Sequence, residues 1–236
     1  MKRAVVTGGT RGIGAGVTSV LVENGWHVTA ATVSEQEIEG FRASKLGEAV
    51  DCQLLDVTDN DQVLAFFDQF DQLDGLVNCA GIIMREAEFD IDVFQKVIDV
   101  NLTGTMRCCM AAHEKLVKAK GSIVNTASMR SYFGGAMVPA YSASKGGVAL
   151  LTKSLASKWA PEGVRVNAVA PGWIATELTD ALRADPVHND PIVNRTPMGR
   201  WGTPSEVGEM VAWLLSEKAG FLTGSLYNVD GGYAAV

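Results

Sequence analysis

Little in this chain can build a metal centre or a disulfide framework: 236 residues include only four cysteines and three histidines. Cys52, Cys79, Cys108 and Cys109 form no C-x-x-C pair and two are adjacent, which suits neither zinc nor paired thiols. They read as small buried side chains in a reducing compartment. His27, His113 and His188 are scattered, with no metal-ligand spacing and no serine nucleophile motif nearby, so no metal is expected. An excess of positive charge is also missing: 20 Lys+Arg stand against 27 Asp+Glu, a net charge of -7. Nucleic-acid binders carry a basic patch or stripe, so nucleic acid is not an expected partner. No apolar run reaches the roughly 20 residues of a membrane span. Lys2-Arg3 precede an apolar stretch that halts at Gly8-Gly9, too soon for a signal peptide. A cytoplasmic protein is expected.

What is present points to a substantial core. Hydrophobic residues make up 47% and charged residues 20%, an ordinary globular balance, and the length fits one larger α/β domain. Short β-rich runs alternate with longer helical stretches. Strands are predicted at Arg3–Thr7, His27–Thr32, Val50–Leu55, Leu73–Val77, Ser122–Thr126, Val164–Val169 and Ser225–Val229. Helices are predicted at Ala15–Asn24, Gln62–Phe70, Ile91–Ala119, Tyr141–Ala160 and Ser205–Ser216. Gly25 stands where a left-handed C-cap is wanted, and Thr203, Pro204 and Glu206 form the start signal of the last helix. Strands joined by helical crossovers predict a single-domain, doubly wound, seven-stranded parallel sheet with helices on both faces, the Rossmann architecture. Only 173–203 breaks the alternation, with Pro186, Pro191, Pro197 and one short helix candidate, Glu177–Ala184. Long insertions of this kind serve as lids or binding loops, and a substrate lid is expected there.

The turn after the first strand reads Thr7-Gly8-Gly9-Thr10-Arg11-Gly12-Ile13-Gly14 and opens a helix. Glycines let the backbone turn tightly and approach a pyrophosphate, and a helix N-terminus offers free N–H groups and a positive dipole end. The spacing differs from G-x-G-x-x-G, but the strand–turn–helix context points to NAD or NADP. An acidic residue at the end of the second strand would bind a ribose 2′-hydroxyl and favour NAD. That stretch, Ala30-Ala31-Thr32-Val33-Ser34, has no acid before Glu35. Arg11 can meet a 2′-phosphate, a slight lean to NADP that leaves the choice open.

Tyr141 and Lys145 open the long helix four residues apart, hence on one face. A free phenol has a pKa of about 10. A neighbouring ammonium lowers it, which makes the group useful as a general acid/base. Read with Asp56-Val57, Asn78-Cys79-Ala80-Gly81, Asn101, Ser128, Pro171-Gly172 and Asp230-Gly231-Gly232, the chain resembles the short-chain dehydrogenase/reductase family over essentially its whole length. Cys79 stands where Asn is commoner.

The resemblance implies that Tyr141 exchanges a proton with the substrate oxygen and Ser128 hydrogen-bonds that oxygen. Lys145 lowers the tyrosine pKa and holds the nicotinamide ribose, and Asn101 supports a water linking Lys145 to solvent. The coenzyme contacts implied are Gly8, Thr10, Arg11, Gly12, Ile13 and Gly14 at the phosphates, with Asp56 and Val57 at the adenine. Asn78, Ala80 and Gly81 would run along the coenzyme. Pro171, Gly172 and Ile174 would border the nicotinamide, with Thr176 near its carboxamide or the phosphates.

Three segments resemble the sugar-acid dehydrogenases of the family: Gly81–Arg85, Ala127–Gly135, and Leu182–Asp185 with Gly199–Gly202. They carry Arg85, Arg130, Arg183 and Arg200. A guanidinium can clamp a substrate carboxylate, although each of the four also reads as a surface or ion-paired residue. The rival readings are a 3-oxoacyl-carrier-protein reductase and a nucleotide-binding regulator that has lost catalysis. The intact Asn101/Ser128/Tyr141/Lys145 set argues against the latter. The family resemblance further implies a homotetramer acting on a small-molecule substrate. It would bury the long helices and the C-terminal segment, where Val148–Leu151 and Tyr233–Val236 are apolar enough.

Overall fold

In the computed structural model, residues 1–44 and 46–236 are described. Seven strands form one parallel sheet: β1 (Arg3–Thr7), β2 (His27–Thr32), β3 (Val50–Leu54), β4 (Gly75–Asn78), β5 (Ser122–Thr126), β6 (Arg165–Pro171) and β7 (Leu226–Val229), ordered β3-β2-β1-β4-β5-β6-β7. Each sequence-predicted strand is found, with ends moved by at most two residues. The chain winds outward from β1 in one direction and from β4 in the other. Their carboxyl ends therefore diverge at a topological switch point, the usual ligand crevice of an open α/β sheet.

Successive strand residues face opposite sides, so the two cores alternate along each strand. Val5, Leu76 and Ile123 pack with Phe66, Phe67, Cys108, Leu116 and Trp159. Those partners belong to α3 (Asn60–Asp68), α5 (Gly104–Ala119) and α6 (Pro139–Trp159). Val6, Val77 and Val124 pack with Val17, Leu21, Val211 and Leu214, from α1 (Gly12–Glu23) and α9 (Pro204–Leu215). Both sheet faces are thus covered, and the strands read as near-continuous apolar runs for that reason.

The structure corrects three expectations. The helix predicted over Ile91–Ala119 is divided into α4 (Ile91–Ile98) and α5 by a π-helical turn at Asp99–Thr103. Nothing in the side chains there forbids regular helix; the extra residue per turn is set by packing, as π-turns near functional sites commonly are. An unpredicted helix, α2 (Glu35–Arg42), follows β2, with the Ser34 side chain accepting the Glu37 N–H. The insertion after β6 carries two helices, α7 (Asp180–Ala184) and α8 (Pro186–Arg195), the second starting at one proline and containing another, Pro191. The predicted start of α9 is present: Thr203 Oγ1 accepts the Glu206 N–H, and a Glu206 carboxylate oxygen accepts the Thr203 N–H. No helix among the described residues is long and apolar enough to cross a membrane.

Candidate active site

A cleft of about 990 Å³ opens at the carboxyl ends of the strands. The turn after β1 (Gly8 and Arg11–Gly14) and the end of β2 (Thr32, Val33) line one end, with Leu55–Thr58 after β3. Cys79–Ile83 after β4, Tyr141 and Thr176–Leu178 line further parts, together with residues of α4 and the π-turn. The volume suits a dinucleotide. No side chain caps the first turn of α1, so its N–H groups are available to an anion. The turn is packed so tightly that a Cβ added at Gly14 would lie 2.0 Å from the Gly8 carbonyl oxygen. Gly8 itself has φ +64°, and a Cβ there would lie 2.9 Å from the Ala80 nitrogen. These residues therefore fit a pyrophosphate cradle closed by the Cys79–Gly81 strip, which Thr7 ties down by accepting the Cys79 N–H (3.1 Å) and, through its hydroxyl, the Ala80 N–H (3.2 Å).

The sequence-predicted coenzyme residues divide accordingly. Gly8, Arg11, Gly12, Ile13, Gly14, Asp56, Val57, Ala80, Gly81, Tyr141 and Thr176 line the cleft, whereas Thr10, Asn78, Lys145, Pro171, Gly172 and Ile174 are not part of its lining. The Asn78 amide instead donates to Asn125 Oδ1 at 2.9 Å, and Asn125 donates to Thr152 at 3.0 Å. This polar ladder is buried and holds β4, β5 and α6 in register.

Of the four sequence-predicted catalytic residues, Asn101 and Lys145 flank Gly81, and Tyr141 lies next to Lys145 and Ser128. Asn101, fully buried in the π-turn, donates to the Ile82 carbonyl (2.9 Å) and to Ser144 Oγ (3.1 Å), and accepts the Ile82 N–H (2.8 Å). It ties α6 to the loop after β4. Ser128 stands two residues beyond β5 and starts a short 3₁₀ turn, Met129–Ser131. Lys145 is 4% exposed, and its Nζ donates to the Thr126 carbonyl at 2.7 Å.

That bond changes the expected electrostatics of the pair. The Lys145 ammonium lies 5.6 Å from the centroid of the Tyr141 ring, over the ring face. Burial pulls the Lys145 pKa down to about 8. The Tyr141 phenol is pushed up rather than down: desolvation dominates, and the Ser128 hydroxyl and the Arg130 and Arg85 guanidiniums only partly oppose it. Without ligand the phenol is thus held in its acid form.

The arginines separate as clearly. Arg183 pairs with Asp180, and Arg200 pairs with both carboxylate oxygens of Glu206 at 2.6 and 3.0 Å. Arg130 donates to the Gly134 carbonyl at 2.8 Å, and Arg85 makes no ion pair or side-chain hydrogen bond among the described residues. Of the four, Arg130 and Arg85 are the pair whose charge is felt at Tyr141.

Two carboxylates went unnoticed in the sequence. Glu37 lines the cleft at the end of β2, accepts from the Thr10 hydroxyl (3.1 Å) and the Thr32 hydroxyl, and pairs with Arg11 at 3.2 Å. Arg11 stays 64% exposed in that pair, so the cleft offers both a guanidinium for a 2′-phosphate and a carboxylate for a 2′-hydroxyl, and both NAD and NADP stay open. The Ser34-x-x-Glu37 spacing, a capping-box signature, is the signal for α2 and for this carboxylate. The second is Glu88, in the loop after β4, buried where its Oε2 accepts the Tyr141 N–H near the start of α6.

Comparison with known proteins shows the family. The short-chain dehydrogenase family model described as enoyl-(acyl carrier protein) reductase matches residues 8–234. The chain is similar to a 2-dehydro-3-deoxy-D-gluconate 5-dehydrogenase of Pseudoalteromonas atlantica, 38% identical over 98% of this chain and 95% of that one. It is also similar to a cis-4-hydroxycyclohexanecarboxylate dehydrogenase of Sinomonas cyclohexanicum, 41% identical over 99% and 96%. Among solved structures it is similar to a gluconate 5-dehydrogenase from Burkholderia cenocepacia in complex with NADP and tartrate, with TM-score 0.92, 33% identity, and 100% and 96% of the two chains covered. The chain belongs to the short-chain dehydrogenase/reductase family and is an NAD(P)-dependent oxidoreductase acting on CH–OH groups.

Proposed function

We propose that this enzyme interconverts a secondary alcohol and a ketone on a small carboxylic acid of the sugar-acid type. The observation that carries the reading is Tyr141 on the lining of a dinucleotide-sized cleft, with Ser128 beside its phenol, the Lys145 ammonium over its ring, and the charges of Arg130 and Arg85 felt there. A bound nicotinamide dinucleotide supplies or accepts the hydride. Ser128 and Tyr141 hold the substrate oxygen, and Tyr141 passes it a proton in reduction or takes one in oxidation. Lys145 orients the nicotinamide ribose. Arg130 and Arg85 attract the substrate carboxylate, a role that Arg183 and Arg200 are less free to take because each is internally paired.

The segment 173–203 serves as the substrate lid. Its Trp173 stacks edge-on with Trp201 at 5.4 Å and with Tyr233 at 6.5 Å, so it closes against the C-terminal residues. Glu37, on the cleft lining beside the end of β2, would accept from a ribose 2′-hydroxyl, which favours NAD. We place the enzyme in the cytoplasm, a reducing compartment that suits its four free thiols.

A spectrophotometric screen with NAD(H) and NADP(H) tests the reading. Turnover is expected with 2-dehydro-3-deoxy-D-gluconate, D-gluconate or cis-4-hydroxycyclohexanecarboxylate, and at least a tenfold loss when the carboxylate is esterified, since a bidentate pair contributes about 1.5–3 kcal/mol. Reaction only with acetoacetyl thioesters, with none of the acids turned over, contradicts it.

The enzyme works as a homotetramer. In the apolar stretches that suit burial between subunits, Leu150 on α6 is 65% exposed and Val236 72% exposed, whereas Val148, Ala149 and Tyr233 are buried within the chain; Met110, on the other long helix α5, is 52% exposed. Light scattering after size exclusion is expected to give four times the chain mass; a monomer alone refutes the assembly.

A further inference from the structure

Glu88 is a carboxylate in an expensive place. It lies on a 3₁₀ turn, Ala87–Phe89, in the loop between β4 and α4, and only 1% of it is exposed. No cation pairs with it among the described residues. Burying a carboxylate is costly unless its oxygens are hydrogen-bonded, and here both are used. Oε1 accepts the Met84 N–H at 2.9 Å, and Oε2 accepts the Tyr141 N–H at 2.8 Å.

Tyr141 is the third residue of α6, behind Pro139, and the N-cap residue Val138 offers no side-chain hydrogen bond. A serine or aspartate at that position would cap the helix locally. The chain instead brings a buried carboxylate from 53 residues earlier to the one N–H that belongs to the residue under the phenol. The same loop carries Arg85, and the Glu86 that follows it sits at φ +63°, an uncommon conformation for a residue with a side chain. Its N–H bonds the Met137 carbonyl at 2.9 Å, a second tie between the loop and the start of α6.

We propose that Glu88 is a positioning residue for the reaction: it fixes Tyr141 relative to the loop that carries Arg85, and it supplies the negative charge against which the cations around the phenol are balanced. This rests on the reading of Tyr141 as the proton-exchanging group. The charges facing Tyr141 come from three elements. Glu88 and Arg85 lie on the loop after β4, Arg130 on the turn after β5, and Lys145 on α6. Asp92 and Lys96 of α4, Asp99 of the π-turn and Glu177 after β6 line the same cleft. Of the charges felt at the phenol, Glu88 is the one that opposes its ionisation; the two guanidiniums favour it. A structural cap alone would not act on the phenol's titration, whereas a charge does.

The test is a pH titration of tyrosine ionisation by ultraviolet difference absorbance, with Tyr141 isolated by subtracting the Tyr141→Phe protein. The charge of Glu88 favours the neutral phenol, so Glu88→Gln is expected to move the Tyr141 midpoint down. The rise of alcohol oxidation with pH, measured with D-gluconate and NAD or NADP, should move with it. Glu88→Asp, which keeps the charge but shortens the reach, is expected to hold the midpoint and lose kcat. A folded Glu88→Gln protein with an unmoved midpoint overturns the inference. If Gln does not fold, Glu88→Asp decides: a moved midpoint or an undiminished kcat overturns it. Retained turnover in Tyr141→Phe would sink the tyrosine assignment itself. A dead Phe variant beside an unmoved Gln midpoint would sink only the role of Glu88.

Discussion

Replacing Tyr141 by phenylalanine is expected to lower kcat by about 10²–10⁴-fold, the usual contribution of a positioned general acid/base, while leaving coenzyme affinity nearly unchanged. The ring remains, so the wall it gives the cleft and its face toward Lys145 are kept. What is lost is the proton. Burial raises the phenol's pKa above its ordinary 10, so ketone reduction, which needs the acid form, should hold a plateau across neutral pH. It should decline only as the phenol ionises on the alkaline side. Alcohol oxidation needs the phenolate and should rise with pH toward that same ionisation. Lys145 loses its own charge near pH 8, below the tyrosine. The order is opposite to that of the free side chains, and it follows from placing the amine in a dry pocket against a carbonyl. Loss of the amine's charge should then weaken its hold on the ribose before the tyrosine titrates. Both limbs are read from kcat against pH in wild type and in the Phe variant, where the tyrosine limb should vanish.

The second large effect lies at the far end of the cleft. Glu37→Gln is expected to lower the KM ratio of NADP to NAD by about 10²-fold with little change in kcat. A carboxylate accepts from a 2′-hydroxyl and repels a 2′-phosphate, and like-charge juxtaposition costs several kcal/mol, at about 1.4 kcal/mol per tenfold. The variant also releases Arg11 from its 3.2 Å pair with Glu37, so one substitution removes a repulsion and frees an attraction. Fluorescence titration of both coenzymes should report the same shift in Kd. A wild-type enzyme that prefers NADP and is unaffected by the substitution would refute this role.

Much of the fold was legible because the signals are local. Apolar runs of strand length, the Thr203/Glu206 capping pair and the glycine turn all act over a few residues, and all are found. The Tyr141/Lys145 spacing was legible for the same reason. What failed was set by distant partners. The spacing places the ammonium one turn from the phenol, but the Thr126 carbonyl, on another strand, draws Lys145 Nζ to the ring face. The π-turn at Asp99–Thr103 is fixed by Asn101 reaching Ile82 and Ser144, contacts 19 and 43 residues away. Glu88 reads as one more acid in a polar stretch until its partner, the Tyr141 N–H, is seen. Glu37 was legible in principle through Ser34-x-x-Glu37, but the carboxylate turns away from its own helix toward Thr10, Thr32 and Arg11.

The central claim is that Tyr141 moves the proton of a hydride-transfer reaction on a CH–OH group. Single-turnover absorbance of bound reduced coenzyme, in wild type and Tyr141→Phe saturated with the same keto acid, tests it most directly. The account predicts that the variant binds both ligands yet oxidises the coenzyme at least a hundredfold more slowly, in keeping with the loss of a general acid. Equal rates in the two proteins would contradict it.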